Sequence, residues 1–331
     1  MIVLAEVLGT TIVAAVIAYA VLGGADYGGG ILDLLSRGPR AEARREAIAH
    51  AMGPVWEANH VWLIFVIVLL FTAFPPAFAM LSVTFFWPFH LALVGIVLRG
   101  AAFVFRAYAP ISARAQLAWS RVFGGASAVT PLLLGSTLGA VSTGSMQWIS
   151  PFAIATGLLA VALCAWVAAV YLSWETRGEL REDFRRSALA AWLVAGVISI
   201  ATLILARVEA PRLWDGLVSA RVGSVIAIGI LLAPMSLTAL WTRRFGAARV
   251  LAAAQVAILL LGWAIAQWPF IIFPTMTLEQ AAAPEATLRA VASTLPFGLG
   301  VLLPSLWFLF RVFKSPLASE AAPRVPERQD V

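Results

Sequence analysis

The chain has almost no cysteine, little histidine and few charged side chains, and each scarcity removes a class of function. Its 331 residues include one cysteine, Cys164, which excludes an internal disulfide and a cysteine-built metal cluster. Charged residues make up 12% and apolar ones 61%, where soluble domains carry about 25% charged residues. Such a chain is not a soluble globular protein. Three histidines, His50, His60 and His90, offer little to a haem or metal centre. No basic run is interleaved with aromatics in a polar segment, so the net charge of +6 does not read as a nucleic-acid surface. Nor does a basic leader precede the first apolar run, which continues past Ile2 to Leu22 where a cleaved signal would stop.

What the chain has in plenty is long apolar segments. A membrane-crossing helix takes about 20 apolar residues. Nine such segments are predicted, at 2–24, 54–74, 77–100, 122–142, 151–173, 187–207, 217–241, 249–269 and 290–313. The expected fold class is an all-α integral membrane protein with nine transmembrane helices. It would form a single transmembrane domain over 1–314, followed by a polar, proline-bearing tail over 315–331 that reads as disordered. The FPPA turn from Phe74 to Ala77 joins the second and third segments. The 13 Trp and 19 Phe suit a chain whose rings anchor at membrane interfaces. Pro131, Pro234, Pro296 and Pro304 predict kinks within spans. Gly28, Gly29 and Gly30 predict either close backbone approach or the end of the first span. They do not make a phosphate loop, because no Gly-Lys-Ser/Thr ending follows.

Counting cations orients the chain. The connections after spans one, three, five and seven, with the tail, hold 18 of the 23 Arg and Lys; the connections on the other side hold four. The bias of Arg and Lys toward the cytoplasm puts the N-terminus outside and the C-terminus in the cytoplasm.

On that topology several polar groups reach one depth. The segment GPVWEANHVWLIF (Gly53–Phe65) brings Trp56, Glu57, Asn59 and His60 into the start of span two, with Pro54 placed to open the helix. Glu57 and His60 stand three apart and share a helix face. Asp26 closes span one and Arg99 lies near the inner end of span three. A carboxylate at the centre of an apolar span costs roughly 2.5–3.5 kcal/mol on insertion scales, so buried acids mark ion or proton routes. Two readings stand side by side: Arg99 neutralises Asp26 or Glu57 simply to permit burial, or the cluster relays protons. Asp26 also reads as a plain interfacial residue at a helix end, and Glu6 as a solvated one at the outer face. His60 and His90 lie at depths of about 9 and 20 Å from the cytoplasmic face at about 1.5 Å per residue, a mismatch that argues against haem ligation by this chain.

The motifs GGADYGGGIL (Gly23–Leu32), GPVWEANHVWLI (Gly53–Ile64), FPPAFA, LRGAAFVFR (Leu98–Arg106) and QWPFIIFP (Gln267–Pro274) resemble subunit II of cytochrome bd-type quinol oxidases. The Glu-Ala-Asn-His wording is closest to the cyanide-insensitive branch. The resemblance covers nearly the whole chain and implies two four-helix bundles plus one additional helix. It implies a bacterial inner-membrane, electrogenic quinol:dioxygen oxidoreductase of the respiratory chain. This chain would be its haem-free companion, stabilising a haem-bearing subunit I and contributing a cytoplasmic proton-uptake path for oxygen reduction to water. By motif match the path residues fall on Asp26, Trp56 and Glu57, and Arg99 matches the basic position ending span three; Asn59 and His60 complete the expected set. Some members carry Asp where Glu57 stands, and some a further Asp where Leu22 stands. No catalytic residue, cofactor or metal ligand is expected in this chain itself. Haem b with haem d, or b-type haems alone, belong to the partner. Small single-span subunits, membrane lipids and quinol are the other expected partners, and a structural quinone or lipid is a feature of some members.

Two rivals remain at this point. One is a purely structural membrane subunit. The other is a proton-coupled transporter, which usually shows a midplane site on broken helices and repeated halves, neither of which is legible here.

Overall fold

The computed structural model describes residues 1–108 and 112–313; the side chains of 52–57, 107, 108, 113, 310 and 313 fall outside that description. The described chain is almost entirely helical. In order it forms α1 (Ile2–Leu35), α2 (Ala41–Ala73), α3 (Pro75–Thr84), α4 (Phe86–Tyr108), α5 (Ala113–Val141), α6 (Pro151–Glu175), α7 (Gly178–Glu209), α8 (Pro211–Leu217), α9 (Ala220–Trp241) and α10 (Phe245–Gln267). A small antiparallel pair, β1 (Phe270–Ile272) and β2 (Met276–Thr277), then leads through α11 (Leu278–Ala281) to α12 (Glu285–Phe313). Among the described residues eight helices are long and apolar enough to cross a membrane. The count is nine if the bent pair α2–α3 forms one span.

Three expectations about boundaries are corrected. The first helix does not end near Asp26 but continues to Leu35, with residues 23–33 buried. The glycines there admit neighbouring helices: a Cβ on Gly28 would collide with the Cys164 carbonyl of α6, and one on Gly30 with the Ser127 hydroxyl of α5. The second helix starts at Ala41, well before Pro54, because AEARREAIAHA is rich in strong helix formers and seats Ile48 in the core. The third predicted span is broken. Phe74 turns the chain by 119° into the short α3, whose first two positions are prolines, and a second break at Phe85 precedes α4.

The helix α1 is central, packing against α2, α5, α6, α10 and α12. Around it α4 packs on α5, while α6, α7, α9 and α10 pack on one another; α12 lies against α2 and α1. The largest core, from Leu32 and Ile48 through Trp166 and Phe184 to Leu240 and Leu260, joins α1 and α2 to α6, α7, α9 and α10.

The two ends of the molecule differ in chemistry. At one, Arg40 is clamped by both oxygens of Asp183 at 2.7 Å and touches Glu179 at 3.0 Å. The hydrogen bonds to Asp183 push the pKa of the Arg40 guanidinium up further. Arg44 donates to Ser187 at 3.1 Å, and Arg243 reaches Glu182 at 3.6 Å. The arginine-rich connections α1–α2, α6–α7 and α9–α10 therefore meet at one end. The opposite end is poorer in cations, and its ties include Ala283 N–H to the Ala73 carbonyl (2.9 Å), Trp263 Nε1–H to Ser142 (2.9 Å) and Phe152 N–H to the Glu209 carboxylate (3.1 Å).

Candidate functional site

The long α1 carries Asp26 into the interior, where its carboxylate is fully buried. Arg99, from α4, meets it side-on: Nη1 and Nη2 donate to the two carboxylate oxygens at 2.8 and 2.5 Å, and Nη2 also reaches the Asp26 carbonyl at 3.1 Å. The remaining guanidinium donor, Nε, is taken by Ser127 of α5 at 2.9 Å. Rings of Tyr27 and Phe123 lie 5.1 and 4.9 Å from the guanidinium carbon, adding cation–π attraction to an ion already withdrawn from water. Asn59 of α2 completes the cluster, its amide nitrogen 3.4 Å from Asp26 Oδ2. Four helices thus meet on one carboxylate.

Gly23 is what lets α2 come this close. A Cβ at that position would stand 2.8 Å from Asn59 Oδ1. That amide oxygen is buried and has no hydrogen-bond donor among the described residues. A buried amide acceptor is ordinarily satisfied by protein or ordered water, so this position is polar and demands a donor.

Of the six expected site residues, Asp26, Asn59 and Arg99 come together. His60 follows Asn59 on α2 and is half-buried. The side chains of Trp56 and Glu57 lie outside the described residues; the backbone places both within α2. Asp26 is not a solvated helix-end residue, since the helix continues two turns beyond it.

Those two further turns end in a second acid that the sequence reading passed over. Asp33 is 2% exposed and lies seven residues after Asp26, hence on the same helix face. Arg106 of α4 hydrogen-bonds to its Oδ2, and Arg45 of α2 stands 3.2 Å from Oδ1. Phe123 lies beneath Arg106 as well as Arg99, so the two ion pairs share one ring. The seven-residue spacing was a readable signal. The hydroxyl pair Tyr19–Tyr27, 3.3 Å apart on α1, and the Ser127 contact left none.

Could this chain ligate haem iron? His90 is exposed, its Nδ1 2.7 Å from the Phe86 carbonyl of its own helix and its ring 4.0 Å from that of Phe86. Among the described residues no group of three or more His, Cys, Asp or Glu side chains is placed to hold a metal ion.

The family model described as cytochrome bd terminal oxidase subunit II matches residues 4–313. The chain is similar to cytochrome bd ubiquinol oxidase subunit 2 of Bacillus subtilis, 27% identical over 187 residues, covering 51% of this chain and 52% of that one. It is similar also to cytochrome bd-I ubiquinol oxidase subunit 2 of Escherichia coli K12, 28% identical over 195 residues, 54% of this chain and 50% of that one. The chain spans about half the length of these curated relatives in the matched region. In fold it resembles a chain of the bd oxidase from Geobacillus thermodenitrificans, with a TM-score of 0.79 at 22% identity, covering 94% of this chain and 99% of that chain.

Proposed function

Because the chain belongs to the cytochrome bd terminal oxidase subunit II family, we propose that it is the companion subunit of a quinol:dioxygen oxidoreductase. It stabilises a haem-bearing subunit I and admits protons from the cytoplasm. The haems, haem b with haem d or b-type alone, belong to that partner and supply the redox chemistry. A quinone or lipid held structurally in this subunit fits the same reading, as do small single-span subunits beside it. The helix contacts support two four-helix groups, α1, α2, α4 and α5 beside α6, α7, α9 and α10, with α12 as the additional helix. Residues 1–314 then form one membrane domain and 315–331 a cytoplasmic tail. The arginine-rich end faces the cytoplasm, which leaves the N-terminus outside.

In this reading Asp26 and Arg99 are a fixed element. One N–H donor meets its Oδ1 and two meet its Oδ2, which holds the carboxylate in its pairing with Arg99. Glu57 is the exchanging acid, on α2 beside Asn59, whose unpaired amide oxygen fits an ordered water in the route. His60 and Trp56 flank that turn. The spacing of Glu57 and His60 runs on through Ile64, Ile67 and Phe71, which are all exposed. That uncovered stripe is where the partner would sit and receive the proton.

Oxygen reduction consumes protons while quinol oxidation releases them. Drawing the first from the cytoplasm and releasing the second outside separates charge without a pump. The observation that carries the proposal is the buried Asp26–Arg99–Asn59 cluster, tied to the Glu57 turn of α2. Replacing Glu57 with Gln keeps the size and removes the titrating group. Oxygen consumption per haem should fall by about a hundredfold or more, in the range of a lost proton-transfer group, while the complex still assembles. The buried, bidentate pairing of Asp26 with Arg99 also favours a second reading, a purely structural subunit. On that reading the Gln variant lowers complex yield and leaves turnover per assembled complex unchanged.

A further inference from the structure

The arginine-rich end holds an open pocket of about 730 Å³ where the C-terminal ends of α6 and α9 meet the N-terminal ends of α7 and α10. Arg177, Arg181, Arg243 and Arg244 line it, against the single carboxylate of Glu175. The nearby Glu182 is already held by Arg185 at 2.5 Å. Arg181 is fixed in place: its Nε donates to the Thr176 carbonyl at 2.7 Å and its guanidinium lies 5.1 Å from the Phe245 ring centre. Arg243 takes a left-handed backbone, φ +59°, at the turn between α9 and α10. That conformation is uncommon for a side chain of this size. Arg177 and Arg244 make no ion pair or hydrogen bond through their side chains among the described residues. Both stand at the N-cap of a long helix without capping it, so first-turn N–H groups of α7 and α10 add to the positive field.

We propose that this pocket holds the phosphate of an anionic phospholipid headgroup. The position selects a lipid over a free phosphate. Trp174 and Trp241, 44% and 71% exposed, end α6 and α9 at the level where indole rings mark the membrane–water interface. Below the pocket, Val250 lies on the same face of α10 as Gly246 and Ala247 and is exposed. It offers acyl chains an apolar wall directly under the guanidiniums. Basic pockets between spans on the cytoplasmic side are a recognised way to capture such headgroups. None of the residues lining the pocket belongs to the Asp26 cluster, and its existence does not depend on the proton route.

The test uses the purified, delipidated assembly with all its subunits, titrated with dioleoyl phosphatidylglycerol and followed by native mass spectrometry. Dioleoyl phosphatidylcholine and inorganic phosphate serve as controls. Because Arg177 and Arg244 are engaged in no contact, the double variant Arg177→Gln/Arg244→Gln should melt and assemble as the parent does. Its affinity for the first phosphatidylglycerol should drop about thirtyfold, as the loss of two cations facing one phosphate would give. Phosphatidylcholine should bind parent and variant alike and more weakly than phosphatidylglycerol. Unchanged phosphatidylglycerol affinity in the variant overturns the proposal, as does a parent that prefers neither lipid. Displacement of phosphatidylglycerol by millimolar phosphate would overturn the lipid as the occupant.

Discussion

Asp26 and Asp33 sit two turns apart on one face of α1, both buried and both facing arginine, yet they are held in opposite ways. Asp26 receives a two-pronged guanidinium with Ser127 on the third donor and aromatic rings beside it. Asp33 is shared by Arg106 and Arg45, which are 17% and 25% exposed, and its Oδ1 has no well-formed hydrogen bond. The deeper pair is sealed from water and nearly saturated, whereas the shallower one opens toward the arginine-rich end. Burial depth, more than the identity of the groups, decides which ion pair is a permanent strut and which can exchange with solvent. The difference also explains why Asp26 is better read as an anchor for α4 and α2.

The sharpest way to break the comparison is to remove one partner of the deep pair. Arg99→Leu leaves an uncompensated buried carboxylate, which should cost about 3–5 kcal/mol and show as loss of assembled complex. Adding Asp26→Asn should restore much of the yield; equal yields for the single and double variants would refute the strut. Next in size is Gly23→Ala. Its Cβ would press on Asn59 Oδ1, and overpacking of this kind costs about 1–3 kcal/mol, read as a lower Tm. Asn59→Ser should relieve the loss by shortening the side chain. Asp33→Asn should cost only about 1 kcal/mol, since both its arginines can rehydrate. A coupling energy for Asp33 and Arg106 as large as that for Asp26 and Arg99, from matched double-mutant cycles, would erase the distinction. Smallest of all is Arg40→Ala: the guanidinium and Glu179 are exposed, though Asp183 is only 13% so, and the melting temperature should fall slightly, less so at high salt.

Much of the cluster was legible because depth along a span follows from counting residues. Span order and cation bias placed Asp26, Glu57, His60 and Arg99 at one level before any contact was known, and of these Asp26 and Arg99 meet. The helix boundaries were less legible. Hydropathy does not register the start of α2, because Arg44, Arg45 and Glu46 lower it while favouring helix. Nor does it register Phe85, where apolar residues continue across a backbone break. Asp33 was missed for a related reason: a predicted end at residue 24 put it outside the span. Ser127 could not have been foreseen, since which face of α5 meets Arg99 is a matter of packing.

By itself the sequence determined that this chain lives in a membrane as a set of long helices, and which way its cations bias it. Those are properties of local composition and of periodicity along one chain, and they need no neighbour. Only the tertiary structure decided that Arg99 closes on Asp26 rather than another acid, that glycines of α1 are contact points rather than a stop, and that four arginines from two separate connections enclose a pocket. Each of those depends on which helix faces meet, and that is set by shape complementarity between surfaces distant in sequence.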